Sequence, residues 1–233
     1  MLHRHSVLAA MLALTPACSA EPPAEPPEPR YDFGCPEARV LACTGLYGPE
    51  GEHWYSKRAG HRVNAYTPAA ELWSDGMAKQ RWIELPDGTQ IDTSKPNDWV
   101  LPIGTKLWKE FAYAGKRIET RYLEKRAGVW HRTTYRWNAD ESNAFEMTEG
   151  EINVPGTRDN SYEVPRTSDC ERCHQGAADN VLGFSAILLG DGATGLTADE
   201  LAKRDLLTVD LPKAVVPGTP LERAALGYLH ANC

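Results

Sequence analysis

The amino-acid sequence predicts an α+β fold, with an N-terminal, mainly antiparallel β module (a small sandwich or barrel) followed by a helical segment. Seven Trp and nine Tyr against four Phe are typical of aromatic-rich β structure. Apolar and polar residues alternate in short runs separated by turn residues as far as position 165. Two helix-capping patterns follow that position. We therefore expect a β-rich module at residues 31–165 and a helical segment at residues 166–233.

The N-terminal residues have the pattern of an export signal. Val7–Leu14 is an apolar run that is too short to span a bilayer but suits residues 1–17 as a signal peptide. Cys18 follows a small residue, so we expect lipidation there, with ordinary cleavage near Ala20 as the alternative. Residues 18–30 are rich in proline and should form an extended tether. These features predict an exported protein, in the periplasm or as an outer-membrane lipoprotein of a Gram-negative bacterium.

Charge and hydropathy limit the partners. The net charge of −7 and the pI near 5.5 argue against a nucleic-acid partner, because phosphate binding requires a basic surface. No other long apolar run follows the signal segment, so no transmembrane helix is expected. Membrane contact is therefore expected only through the N-terminal lipid anchor.

A three-stranded meander is the clearest part of the β module. Alternating runs at 105–113 and 129–137 flank a third run around Ile118, and Ala114–Lys116 and Ala127–Gly128 provide the turns. This pattern predicts a sheet with one solvated face. Four arginines fall on the polar positions, where they form either a basic stripe or a solvated face balanced by glutamates. They are Arg117, Arg121, Arg132 and Arg136.

Two capping boxes mark the helices of the C-terminal segment. Thr197–Glu200 is the first, and Thr219–Glu222 is the second, with Pro220 at the first helical position. The second helix should run toward the C-terminus with an apolar side. That side consists of Leu221, Ala225, Tyr228 and Leu229.

The motif with the most specific chemistry is Cys170-Glu171-Arg172-Cys173-His174. Cys-x-x-Cys-His is the attachment signature of c-type haem. On a helical turn the two thiols face the same way, where they can bond two vinyl groups of one porphyrin while the histidine binds iron. Zinc and a redox dithiol are the alternatives, but a zinc site needs a second ligand pair and a thioredoxin-like site needs a βαβ context. We expect Cys170 and Cys173 to bind haem c, with His174 as an axial ligand of the iron.

Three further cysteines bear on an exported protein. Cys35 and Cys43 lie eight positions apart, and a disulfide between them is expected in an oxidising compartment. Cys233 follows an amphipathic helix, as the first cysteine of a haem motif often does. It is a possible thioether position of a second haem if the chain continues; a spare terminal cysteine is the alternative.

Several stretches together resemble a family of exported bacterial di-haem c-type cytochrome-like proteins. They include "AELWSDGMAKQRWIELPDG", "SDCERCHQG" and "TPLERAALGYLHANC", and the resemblance covers residues 31–233. In that family one Cys-x-x-Cys-His motif stands where Cys170, Cys173 and His174 stand, and a second begins where Cys233 stands. The resemblance therefore implies haem c, a partial helical cytochrome c-like segment, and a second haem site that is truncated here. It also weakly implies electron acceptance from an exported sugar-dehydrogenase module.

The expected function is electron transfer with an unidentified redox partner protein, and an electron carrier is favoured over a catalyst. One alternative is a haem peroxidase-like enzyme with an open distal site. The other is a haem-free β binding module with a vestigial haem tail. The distal iron ligand decides between carrier and enzyme, and the sequence leaves it unassigned. The candidates are Met77, Met147, His53, His61, His131 and His230.

Overall fold

The computed structural model describes residues 39–48, 51–53, 62–95, 98–176, 179, 181–211 and 214–232. All of them belong to one compact unit, residues 31–233. The predicted signal peptide, the tether, Cys18, Cys35 and Cys233 lie outside the described residues, so these predictions stay predictions. Residues on both sides of position 165 contribute to the same compact unit.

Seven antiparallel strands form one sheet, in the order β6-β5-β4-β3-β2-β1-β7. The strands are β1 Val63–Thr67, β2 Ala78–Glu84, β3 Lys106–Tyr113, β4 Lys116–Arg126, β5 Val129–Trp137, β6 Ala144–Glu146 and β7 Thr194–Gly195. The α+β class with a dominant antiparallel sheet is thus confirmed. In the described residues the strands form this single sheet rather than the expected sandwich or barrel. Loops and short turns, not a second sheet, cover its faces.

The predicted meander is β3, β4 and β5, and both of its turns need left-handed backbone. Ala114 and Gly115 have φ of 49° and 82°, and Ala127 and Gly128 have φ of 46° and 81°. Two successive residues with positive φ match the right-handed twist of the flanking strands in a two-residue hairpin. The pairing of β4 with β5 keeps one register throughout, whereas the pairing of β3 with β4 shifts by one residue between Phe111 and Ala112, next to the first turn.

One face of the sheet, here called the aromatic face, is covered by the chain's N-terminal described residues. A 3₁₀ turn at Leu41–Thr44 lies over it. Leu46 and Tyr47 are fully buried there. The rings of this face belong to Trp82, Trp108, Tyr122, Tyr135 and Trp137. Burial of so much aromatic surface makes this face a main source of stability.

The opposite face, here called the charged face, has an apolar cluster at each end and charged side chains between them. At one end the segment 181–207 packs on Ile83 and Leu107. At the other end residues 154–164 pack on Phe111. Between these ends Arg81 is 3% exposed, while Glu119 and Thr134 are fully buried. The prediction of one solvated face is therefore wrong for much of this face, because two chain segments cover its ends and Arg81, Glu119 and Thr134 are buried between them.

Three α-helices follow β6 in the described residues. They are α1 Cys170–Cys173, α2 Ala198–Lys203 and α3 Pro220–Asn232. Both predicted capping boxes are confirmed, since the Glu200 amide donates to Thr197 Oγ1 at 3.2 Å and the Thr219 amide donates to Glu222 Oε2 at 2.8 Å. In the described part of the chain no helix combines the length and apolarity that crossing a membrane requires.

Helix α3 rests on the rest of the unit through few side chains. Gly227 is its buried residue, and a Cβ there would lie 3.4 Å from Ala70. Asn232 accepts a hydrogen bond from the Trp73 amide at 2.6 Å. The predicted apolar side of α3 exists, but it is exposed: Leu221 is 80% exposed and Tyr228 is 51% exposed.

Candidate functional site

The Cys-x-x-Cys-His motif forms α1, a single helical turn, followed directly by His174. The His174 amide donates to the Cys170 carbonyl oxygen at 3.1 Å. Positions three apart on a helical turn share a side, so both thiols lie on the same side of α1. Cys170 is half-buried, Cys173 is exposed, and neither is in a disulfide. The helical turn expected for this motif is therefore present.

Two anchors hold the motif segment on the sheet. Before α1, the 3₁₀ turn Thr167–Asp169 contacts β5, and the Thr167 amide donates to the Thr148 carbonyl oxygen at 2.9 Å. After α1, the side chain of Asp179 is buried against the sheet. The motif thus lies between a backbone hydrogen bond and a buried carboxylate, which limits where α1 can move.

The second anchor is a buried ionic network. Asp179 accepts hydrogen bonds from Lys125 Nζ and from Trp130 Nε1, both at 2.8 Å, and from the Leu101 amide. Lys125 Nζ also donates to the Leu101 carbonyl oxygen at 2.8 Å. Buried charges are tolerated only when they are paired and hydrogen-bonded. The network therefore ties the residues after the motif to one position on the charged face.

The Cys170 thiol interacts electrostatically with two arginines of the charged face. Burial raises the pKa of the Cys170 thiol above its ordinary value, while the Arg121 and Arg132 cations oppose that shift. A dithiol that exchanges with disulfides needs a first cysteine with a lowered pKa. The surroundings of Cys170 thus favour a neutral thiol rather than a redox thiolate. Among the described residues no group of three or more His, Cys, Asp or Glu side chains could hold a metal ion.

Arg121 is held by a buried carboxylate. Its Nη2 lies 2.8 Å from Glu119 Oε1, and the Tyr162 hydroxyl donates to the same oxygen. Burial opposes the charged form of Arg121, but the Glu119 carboxylate outweighs that effect and raises the pKa of Arg121. Burial, together with the Glu119 charge, raises the pKa of Tyr162. The Arg121 cation is therefore fixed next to the motif.

The structure divides the four arginines of the predicted stripe. Strand pairing places Arg136 opposite Glu119, so it shares the charged face with Arg121 and Arg132. Arg117 stacks on the aromatic-face ring of Trp137 at 3.7 Å and pairs with Glu141. Glutamates do balance these arginines, but not on a solvated face, because Arg121 and Arg136 pair with buried or half-buried carboxylates.

The two methionine candidates for the distal iron ligand lie on the charged face, as Cys170 does. Met77 is 4% exposed, and it packs with Met147 in the apolar cluster around Phe111. Met147 directly precedes Thr148, the residue that anchors the motif segment. These positions keep both methionines as candidates, and the distal ligand stays unassigned.

The histidine candidates lie elsewhere. The ring of His53 lies 5.2 Å from the ring of Tyr47, at the aromatic face on the other side of the sheet from the motif. His131 on β5 and His230 on α3 are exposed. His61 is outside the described residues. His53 is therefore separated from α1 by the sheet.

One further cysteine is placed by the structure. Cys43, in the 3₁₀ turn over the aromatic face, is disulfide-bonded. Its predicted partner, Cys35, is outside the described residues, so the pairing itself stays a prediction. A disulfide at this position would tie the N-terminal cover to the start of the folded unit.

Sequence reasoning missed three charged residues that lie on or against the charged face, namely Arg81, Lys109 and Asp179. A signal existed for Lys109, which stands between Leu107 and Phe111 at a position where the alternation of β3 calls for an apolar side chain. No local pattern singles out Asp179, because its partners come from distant strands. No family model matches the chain, and no curated protein or solved structure matches it either.

Proposed function

We propose that the chain is an exported c-type haem protein that transfers electrons, with haem bonded to Cys170 and Cys173 and His174 as an iron ligand. The observation that supports this most directly is the geometry of α1, which presents two thiols on one side of a helical turn with an imidazole directly after it. The helical cytochrome c-like character of residues 166–233, suggested by the resemblance, belongs to this proposal.

The residues present fit haem c in their donor chemistry and in the polar atoms near them. Addition of each thiol S–H across one vinyl group forms a C–S bond and a C–H bond without an oxidant, and the raised pKa of Cys170 keeps its proton available. Near α1, Arg132 Nε, Thr134 Oγ1 and Thr167 Oγ1 are buried without a hydrogen-bond partner among the described residues. Native interiors rarely leave such atoms unpaired, so their presence beside the motif suits a polar ligand.

When bound, the haem iron supplies reversible one-electron chemistry. The protein's own residues position it: the thiols would hold the ring edge, and His174 would supply one nitrogen. The anchors at Thr148 and Asp179 keep these groups together, because they fix the chain on either side of α1. Rigid attachment suits a carrier that exchanges electrons without changing its ligands.

The test is a haem stain on a denaturing gel after export of the 233-residue chain in cells that mature c-type cytochromes. We expect a stained band for the wild type and none for the double variant Cys170→Ser/Cys173→Ser. The matched control is Glu171→Gln, an exposed change inside the motif that should leave the stain intact. A stable but unstained wild-type band contradicts the proposal and favours the haem-free β binding module.

A second measurement separates carrier from enzyme. If the stained protein is an electron carrier, its spectrum should be six-coordinate and low-spin, and cyanide or peroxide should leave it unchanged. A spectrum that shifts on adding cyanide would instead favour the peroxidase-like alternative with an open distal position. The variants Met77→Leu and Met147→Leu then test which methionine, if either, reaches the iron.

A further inference from the structure

Three cationic side chains stand side by side across the centre of the charged face. Strand register pairs Arg81 of β2 with Lys109 of β3, and Lys109 with Arg121 of β4. We call these three residues the cationic row. Like charges directly opposite each other on neighbouring strands destabilise a sheet. The row therefore has an energetic cost that an anion at this place would offset.

Carboxylates of the chain balance the two ends of the cationic row. At one end Glu71 lies 3.5 Å from Arg81 Nη1. It also lies 3.1 Å from the neighbouring Lys79 Nζ. At the other end Glu119 pairs with Arg121. Two carboxylates thus face the three cations of the row and Lys79, which leaves positive charge at the centre.

Lys109 is at that centre. No ion pair within the described part of the chain includes it, and its Nζ lies 4.8 Å from the centre of the Phe111 ring. Burial, with the charges of Arg81 and Arg121, lowers the pKa of Lys109 to about 7. Burial and the two permanent cations beside Lys109 disfavour its charged form. A carboxylate bound next to it would stabilise that charged form, so a carboxylate should bind strongly here.

Two side chains that each have a buried polar atom extend the row toward the motif. Thr134 pairs with Arg121 in register and is fully buried, and its Oγ1 has no hydrogen-bond partner among the described residues. Arg132 lies two residues earlier on β5, and its buried Nε also has no hydrogen-bond partner among the described residues. Burial lowers the pKa of Arg132, although the Cys170 sulfur opposes that shift. These unsatisfied groups independently indicate a missing hydrogen-bonding ligand.

The row is open to solvent at Arg121, next to Cys170, and is buried at its other end, where Arg81 is 3% exposed. Arg121 keeps 32% of its side-chain surface exposed, and it interacts electrostatically with Cys170. At the far end, Gly183 has φ of 85°, and a Cβ there would lie 3.9 Å from Arg81 Nε. With neighbouring strands about 4.8 Å apart, the row extends about 10 Å from Arg121 to Arg81. Two carboxylates about one strand spacing apart can therefore contact two neighbouring cations of the row.

We propose that the cationic row, with Arg132 and Thr134, is a carboxylate-binding site whose ligands are the two propionate groups of haem held at the thiols. The source of the carboxylates rests on the proposed function, whereas the site itself rests on the register, the burial and the unsatisfied atoms described above. A free dicarboxylate has the same chemistry and is the other possible source.

The test uses glutarate, a free dicarboxylate, titrated calorimetrically into the full haem-free chain at low ionic strength. We expect the wild type to bind it, and Lys109→Met to bind it at least tenfold more weakly. Lys109→Arg keeps the charge and should restore binding. Lys116→Met, at the exposed turn between β3 and β4, is the matched control and should bind like the wild type. Circular dichroism checks that each variant is folded.

A repeat with the haem-loaded chain identifies the source. If propionates occupy the row, glutarate no longer binds, and Lys109→Met lowers the haem reduction potential because a cation near the iron is lost. Glutarate that binds equally well to loaded and haem-free chains contradicts the propionate assignment. Equal affinity of wild type and Lys109→Met, or no binding by either, overturns the site. An unstained wild type that binds glutarate rejects the haem proposal and leaves the carboxylate site standing.

Discussion

The Lys125 ammonium lies 2.8 Å from the Asp179 carboxylate, although the two residues are 54 positions apart, and their side chains are 7% and 3% exposed. Removing one partner of a buried ion pair is more damaging than never having had the pair, because the remaining charge is left in an apolar surrounding. This pair is also what fixes the chain after His174. Stability and site geometry are therefore coupled at one contact.

Asp179→Asn should lower the free energy of unfolding by about 3 kcal/mol, because Lys125 keeps its buried charge without a counter-ion. Urea unfolding followed by tryptophan fluorescence measures this. Asp159→Asn, at a side chain that is 86% exposed, is the matched control and should change stability little. In the double variant Lys125→Met/Asp179→Asn part of the loss should be recovered. A loss equal to the sum of the single variants would show that the two residues do not interact.

Lys109→Met should have a pH-dependent effect on the stability of the haem-free chain. The folded pKa of Lys109 is about 7, against an ordinary value of 10.5, so between these values the unfolded chain binds more protons. The wild type therefore gains stability from this residue as pH rises from 7 toward 10. The stability advantage of the variant over the wild type should shrink by about 2 kcal/mol between pH 6 and pH 9.

Guanidinium unfolding at several pH values measures that difference, with Lys116→Met as the control for loss of an exposed lysine. An advantage that is the same at pH 6 and pH 9 would mean that Lys109 is not desolvated in the folded chain.

Tyr66→Phe should reduce the loss of stability in alkali. Burial raises the pKa of Tyr66 to about 12, so the folded chain keeps this proton when the unfolded chain loses it above pH 10. The contribution of Tyr66 is fully present below pH 10, and on the order of 3 kcal/mol of it disappears as pH rises through 12. Unfolding curves from pH 9 to pH 11 measure the slope. The exposed Tyr228→Phe should leave that slope as it is in the wild type.

Asn232→Ala should loosen α3 without unfolding the sheet. Asn232 connects the helix to the Trp73 amide and to the Glu71 carbonyl oxygen, and Gly227 is the buried residue of the helix. Hydrogen exchange should therefore speed up in the amides of α3 while those of β3 keep their protection. Arg223→Ala, an exposed change on α3, serves as the comparison. Equal acceleration in α3 and β3 would show that the helix is part of the global folding unit.

The meander and the helix starts were predictable because their signals are local. Alternation with period two sets β3, β4 and β5, and Ala-Gly pairs set the two hairpin turns. Thr197 and Thr219 mark the starts of their helices, because a glutamate three residues after each completes a capping box. The cover over the charged face could not be predicted in this way, since the packing of residues 181–207 on the sheet depends on contacts far apart in sequence.

The motif residues of the candidate site were predictable from their spacing alone, and the residues around them were not. The row formed by Arg81, Lys109 and Arg121 depends on strand register, which a single strand's sequence does not specify. Asp179 depends on a contact with Lys125 and Trp130 across the sheet. Charged residues at apolar positions of an alternating strand, as at Lys109, are the one sequence signal that pointed to the row.

The two anchors of the motif segment also impose an order on assembly. Thr148 precedes α1 in sequence, and the Asp179 partners Leu101, Lys125 and Trp130 do so as well. When the chain emerges N-terminus first, all three strands of the meander are therefore available before Cys170 and Cys173 emerge. The surface that receives the motif can thus exist before the motif does, and the thiols would spend little time exposed on an unstructured chain.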